Sequence, residues 1–191
     1  MIETAARQCG VLYLFIVSEN KSAFSSETRL ELVRRGTAHL PNVHLSATGP
    51  YLISAATFPD YFLKEEEGKV SPGELNTCLD LTIFAECFAQ PLGISRRYVG
   101  TEPLDPVTAV YNKQMKEILP ASGIEVIEIP RLEDSGGVLS ASRVRRLLKE
   151  GNLEGIRELV PPATFGYLTH SFAAVPAKEL LPNNDQKDEK S

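Results

Sequence analysis

The 191-residue chain has only three cysteines, Cys9, Cys78 and Cys87, and no two of them form a CxxC pair. An odd count without paired spacing excludes a disulfide framework and a cysteine zinc site, and it fits reduced thiols in a cytoplasmic protein. Long apolar runs are also missing. The longest, Val11 to Val17, is far too short to span a bilayer, so no membrane partner is expected. Glu3 precedes that run and no small-residue cleavage site follows it, which excludes a signal peptide. Excess positive charge is absent as well. The net charge of −5 argues against a general nucleic-acid binder. Short-period repeats are not apparent, and the three histidines, His39, His44 and His170, are too scattered to form a motif.

What remains is 42% hydrophobic content, enough for a packed core, and 24% charged content, ordinary for a soluble protein. Val11 to Val17 is rich in strand formers throughout, as expected of a parallel strand covered on both faces. A polar loop, Ser18 to Ser22, follows. Ser25 or Ser26 can cap a helix containing Leu30 and Val33, and Val43 to Ala47 is a short strand. Tyr51 to Leu63 has no clear period and is read as a loop with helical turns, and Glu65 to Gly68 as a solvated acidic edge. A helix is expected from about Glu74 to Gln90, with Leu75, Leu79, Ile83 and Cys87 on one side. Ser95 to Val99 is a further strand. Asp105-Pro106 starts a helix that runs to about Leu119, proline suiting the first helical position. Ile124 to Ile129 is the last clear strand. Asn152 to Val160 is a helix, Phe165 to Leu168 a short cap, and residues 169–191 a disordered tail behind a single domain spanning 1–168.

The most informative stretch is Leu139-Ser140-Ala141-Ser142-Arg143-Val144-Arg145-Arg146-Leu147-Leu148. Ser140 is suited to cap a helix, with Val144, Leu147 and Leu148 on one face and Ser142, Arg145 and Arg146 on roughly the other. Such a helix start offers free N–H donors, two hydroxyls and up to three guanidinium groups to an anion. Arginine adds forked donors that match a phosphate. The same residues also suit an ordinary capped surface helix with solvated arginines. Strands alternating with helices imply a parallel sheet, and ligands bind at the carboxyl ends of its strands. There the Ser18 to Ser22 loop, Gly100-Thr101-Glu102 and the Ser140 helix start are expected to converge.

Several blocks together resemble citrate lyase ligase: Phe15 to Glu19, Thr48 to Pro59, Tyr98 to Pro103, Val107-Thr108, Tyr111-Asn112 with Met115-Lys116, and Leu139 to Arg145. The resemblance covers about residues 1–168. The Ser-Ala-Ser-x-x-Arg element is shared more widely with nucleotidyltransferases of the HxGH class. The resemblance implies a Rossmann-like nucleotidyltransferase fold, a parallel sheet flanked by helices. It implies use of ATP, with Mg2+ accompanying the nucleotide, and acetate to acetylate the prosthetic-group thiol of the citrate lyase acyl carrier subunit through acetyl-adenylate. On this resemblance Ser140, Ser142 and Arg145 hold the triphosphate, with Ser142 and Arg145 closest to the chemistry and Arg143 or Arg146 assisting. Gly100, Thr101 and Glu102 border the adenosine.

One departure from the family is serious. The HxGH element and its strand, expected just before the helix that begins at Met1, are not within the 191 residues. Ile2, Ala5, Ala6 and Cys9 form an uncapped apolar helical stripe, as if the helix were entered partway along. The chain is therefore expected to lack the central strand, the one flanked by the Val11 and Ser95 strands, and to be inactive alone. Two alternatives remain: a non-catalytic nucleotide-binding or interaction module, and an adenylyltransferase acting on a cofactor precursor. The Thr48 to Pro59 block argues against the latter.

Overall fold

A computed structural model describes residues 1–19, 24–59, 61, 77–103, 105–131, 133–134 and 137–174. The expectations for Asn20 to Ser22, for Glu65 to Gly68, for the first residues of the Glu74 helix and for residues 175–191 lie outside the described residues. In chain order the elements are α1 (Ile2–Ala6), β1 (Leu12–Ile16), α2 (Ser26–Gly36), β2 (Val43–Ala47), α3 (Cys78–Ile83), β3 (Arg96–Gly100), α4 (Pro106–Ile118), β4 (Glu125–Ile129), the short strands β5 (Glu133–Asp134) and β6 (Gly137–Val138), α5 (Ala141–Lys149), α6 (Glu154–Arg157) and α7 (Pro162–Ala174). Helix α3 continues through a wide π-helical stretch, Phe84–Ala89, into Gln90–Leu92, where Gly93 ends it at φ +64°. The order is that of an α/β fold, with parallel strand pairs flanked by helices. The short cap expected at 165–168 is instead part of α7, which runs on to Ala174.

The chain divides into two compact units. One comprises Met1–Glu19 with Asn42–Leu132, the other Asn20–Pro41 with Glu133–Ser191. Each has its own core. In the first, Leu52, Phe58, Leu81, Phe84, Met115 and Leu119 are buried at the centre. In the second, Leu148, Ile156 and Leu168 are buried, with Phe24, Val144 and Leu147 packed around them.

Two parallel ladders organise the first unit. β1 pairs with β2 in the register Leu12↔Val43, and β3 with β4 in the register Arg96↔Glu125. Among the described residues no ladder joins the two pairs. Both nevertheless lie on the same helix. Phe15 of β1 meets Phe84 and Phe88 edge-on at 6.4 and 5.5 Å, and the Arg97 guanidinium of β3 lies 4.2 Å over the Phe84 ring. Near the start of both pairs, α1 and the turn after it are bonded to the sheet. Asn42 Nδ2 donates to the carbonyls of Ala6 and Cys9, and Arg96 Nη1 to that of Gln8. β1 reads Leu-Tyr-Leu-Phe-Ile, the pattern of a strand covered on both faces, yet every residue in it is only half-buried. The two strands expected to flank a central one are therefore present, and the described residues place no strand between them.

The buried side of α3 also departs from expectation. Leu79 is 52% exposed and Cys87 is exposed, while Asp80, Leu81, Phe84, Ala85 and Ala89 face the core. A carboxylate occupies the inward stripe because three donors satisfy it, which the apolar period does not reveal.

Candidate functional site

At the carboxyl end of β3, Thr101 N–H continues the ladder by donating to the Ile129 carbonyl at 3.0 Å. The Gly100 carbonyl accepts from Asn112 Nδ2 at 2.9 Å. A Cβ at Gly100 would meet Met1 Sδ at 3.2 Å, so a larger residue here would crowd the start of α1. Two residues after β4, Arg131 turns back over this end. Its backbone N–H donates to Thr101 Oγ1 at 3.1 Å and its Nε to the Thr101 carbonyl at 2.8 Å, while its Nη2 pairs with Glu102. Glu102 also accepts the Asp105 N–H at 3.1 Å. Asp105 in turn caps α4, accepting from Val107 and Thr108 N–H at 3.0 and 3.4 Å.

Exposure separates the members of this cluster. The Glu102 side chain is 6% exposed and that of Arg131 33%. Glu102 therefore faces the protein, where it orients Arg131 and the start of α4, and Arg131 is the charged group turned outward. Sequence reasoning passed over Arg131. The available signal was a cation directly following the apolar strand and its proline.

The end of the other strand pair is closed by a second set of bonds. Ser18 N–H donates to Thr48 Oγ1 at 3.0 Å, Gly49 N–H to Ser18 Oγ at 2.9 Å, and Ala55 N–H to a Glu19 carboxylate oxygen at 2.9 Å. Gly49 has φ +57°, a conformation glycine adopts at no steric cost.

The remaining predicted residues belong to the second unit. Ser140 is the N-cap of α5, in an extended conformation (φ −135°, ψ 152°), and its Oγ accepts from Arg143 N–H at 3.2 Å. That bond occupies one of the donors expected to be free at this helix start, and leaves the hydroxyl hydrogen able to donate. Val144 and Leu147 pack on the local core and Leu148 is fully buried, so Arg145 and Arg146 stand on the exposed side. Ser142 lies in the first turn, and its side chain falls outside what is described. The structure thus groups Gly100, Thr101 and Glu102 in one unit and Ser140, Ser142, Arg143, Arg145 and Arg146 in the other.

The histidines are divided in the same way. His44 lies in β2 beside Tyr13, while His39 and His170 belong to the second unit. Among the described residues no group of three or more His, Cys, Asp or Glu could hold a metal ion. An open groove lined by Lys116, Pro120, Ile124 and Val126 lies at the amino end of β4, away from the end where α/β sheets bind ligands. No helix among the described residues is long and apolar enough to cross a membrane.

The family model described as "Citrate lyase ligase C-terminal domain" matches residues 1–168. Among curated proteins, the [citrate [pro-3S]-lyase] ligase of Klebsiella pneumoniae is 45% identical over 175 residues, covering 88% of this chain and 49% of that protein. The protein of the same name from Escherichia coli (strain K12) is 41% identical over 194 aligned positions, covering 95% of this chain and 53% of the relative. That of Haemophilus influenzae is 44% identical over 173 residues, covering 88% and 51%. The chain spans about half the length of the curated relatives it matches.

Proposed function

Because the chain belongs to the citrate lyase ligase family, we propose that it is the nucleotide-handling part of an AMP-forming ligase that activates citrate lyase. In this reading a carboxylate, acetate, attacks the α-phosphorus of ATP to give acetyl-adenylate and pyrophosphate. The acetyl group then passes to the prosthetic-group thiol of the acyl carrier subunit, and AMP leaves. Such chemistry depends on holding the reactants in line and neutralising phosphate charge rather than on a protein nucleophile.

The observation that carries the reading is the start of α5, a serine-capped helix with Arg145 and Arg146 on its exposed side and Arg143 in its first turn. Capping donors and the positive end of the helix favour phosphate oxygens, and the guanidinium groups add forked donors. Ser140, Ser142, Arg143, Arg145 and Arg146 are assigned to the triphosphate. Gly100 and Thr101 border the adenosine, with Glu102 acting through Arg131. Mg2+ would accompany the nucleotide rather than sit in a cage of protein ligands, and would neutralise part of the phosphate charge.

A second reading rests on the placement of the histidines. None of the three stands in an HxGH pattern, and they are divided between the two units. On that ground the 191 residues bind nucleotide and do not turn it over unaided. Acetate-dependent exchange of labelled pyrophosphate into ATP tests both readings. We expect no exchange by the chain alone, exchange when a segment carrying the His-x-Gly-His strand is joined ahead of Met1, and weaker Mg–ATP binding in Arg145→Ala. Extended protein without exchange overturns the ligase reading, and unchanged affinity in Arg145→Ala overturns the nucleotide site.

A further inference from the structure

The family-like block Thr48 to Pro59 contains the one non-glycine residue with positive φ among those described, Ile53 at φ +48°. A β-branched side chain in this region is strained, and it persists only where surrounding bonds over-determine it. Those bonds converge on Asp80, which is fully buried on α3. Its Oδ1 accepts from Ile53 N–H at 2.5 Å and from Thr57 Oγ1 at 2.9 Å, and its Oδ2 from the Tyr111 hydroxyl at 2.5 Å. Tyr111 receives Arg97 Nη2 at 3.1 Å. Within the turn, Ser54 Oγ donates to the Pro50 carbonyl at 2.8 Å, and Phe58 N–H to the Ser54 carbonyl at 2.8 Å. Leu52 and Phe58 anchor the turn in the core at 3% and 0% exposure.

The turn holds the carboxyl end of β1 in place. Gly49 N–H fixes the Ser18 hydroxyl, and the Ala55 N–H, at the turn's outer edge, fixes the Glu19 carboxylate. A buried carboxylate on a helix is thus connected, through a strained residue, to the end of a parallel strand where α/β folds bind ligands. A turn needed only to connect β2 to the next element has no need of a left-handed isoleucine. Strain of this kind collects where geometry is fixed in advance for a ligand.

We propose that Asp80 is a positioning residue. Through Ile53 and Thr57 it locks the Pro50–Phe58 turn, and with it Ser18 and Glu19, as a preformed wall of the nucleotide site. The identity of the ligand rests on the ligase reading above, whereas the latch itself rests on geometry alone.

Hydrogen exchange by mass spectrometry on the 191-residue chain, paired with calorimetric titration of Mg–ATP, tests it. In Asp80→Asn, exchange in residues 50–58 should accelerate by roughly 100-fold while the β1 and β2 peptides change little. Mg–ATP affinity should fall by about tenfold. Thr57→Val removes one donor and keeps the side chain's shape, so it should give a smaller effect of the same pattern and serves if Asp80→Asn fails to fold. Acceleration spread evenly over the first unit means that Asp80 is merely a stability residue and overturns the proposal. Local loosening with unchanged Mg–ATP affinity overturns it as well. A wild-type chain that binds no Mg–ATP refutes the nucleotide reading, and the latch then stands or falls on exchange alone.

Discussion

Replacing Tyr111 by phenylalanine is the sharpest test of how the first unit is held together. The ring stays, so its stacking on Phe58 at a centroid distance of 5.1 Å is preserved. The hydroxyl goes, and with it the bond to Asp80 at 2.5 Å and the bond from Arg97 at 3.1 Å. Both partners are charged-type groups, Asp80 fully buried and Arg97 half-buried, and a hydrogen bond to such a group contributes about 1.5–3 kcal/mol. Two of them give an expected loss of about 3–6 kcal/mol, since phenylalanine offers neither partner a substitute for the hydroxyl. At about 2–4 °C per kcal/mol for a chain of this size, the midpoint should drop by about 10 °C. Urea and thermal denaturation followed by far-ultraviolet circular dichroism measure the loss and the midpoint shift without tryptophan, which the chain lacks.

The same hydroxyl makes the effect depend on pH. Burial, together with the nearby Asp80 carboxylate, holds the Tyr111 phenol well above its ordinary value of 10.0. A folded-state value raised above the unfolded one gives stability that is complete below the unfolded value and is lost as pH rises past it. Wild-type stability should therefore decline above pH of about 10 through this residue, and the gap to Tyr111→Phe should narrow there. A loss under about 1 kcal/mol at neutral pH, or a gap that widens in alkali, would refute the account of Asp80, Tyr111 and Arg97 as one bonded group.

Two further outcomes follow from local geometry. Asp105→Ala removes the acceptor for two N–H groups at the start of α4 and should cost about 1–2 kcal/mol by chemical denaturation, whereas Asp105→Asn should recover most of it. Leu148→Ala in the second core should cost about 2–5 kcal/mol. If the two units unfold separately, exchange will quicken in α5 to α7 while α3 and α4 stay protected.

Much of the architecture was legible because its signals are local. Ser25, Asp105 and Ser140 each cap the helix they precede, and Val43 to Ala47 is β2 to the residue. A cap acts within three residues and a strand shows its period over five, so sequence alone carries both. The stretch from Tyr51 onward was opaque for the opposite reason. Its order comes from Asp80, 27 residues beyond Ile53, and a bond of that span leaves no period behind. The same carboxylate misdirected the reading of α3, where Leu79 and Cys87 were expected on the inner face and Asp80 with Leu81 occupies it. Arg131 was missed because its partners, Thr101 and Glu102, lie on the neighbouring strand's end. Binary pattern gives the helices and strands. It does not give the bonds between distant polar groups that shape the site.

The half-covered β1 strand has a practical consequence for anyone handling this protein. Five apolar residues in extended form, with an edge that no described strand occupies, make a template for a strand from another molecule. Light scattering should therefore rise with concentration and with salt, as backbone edges of separate molecules meet. A charged substitution on that strand, such as Leu14→Lys, should keep the solution clear at concentrations where the natural sequence turns cloudy.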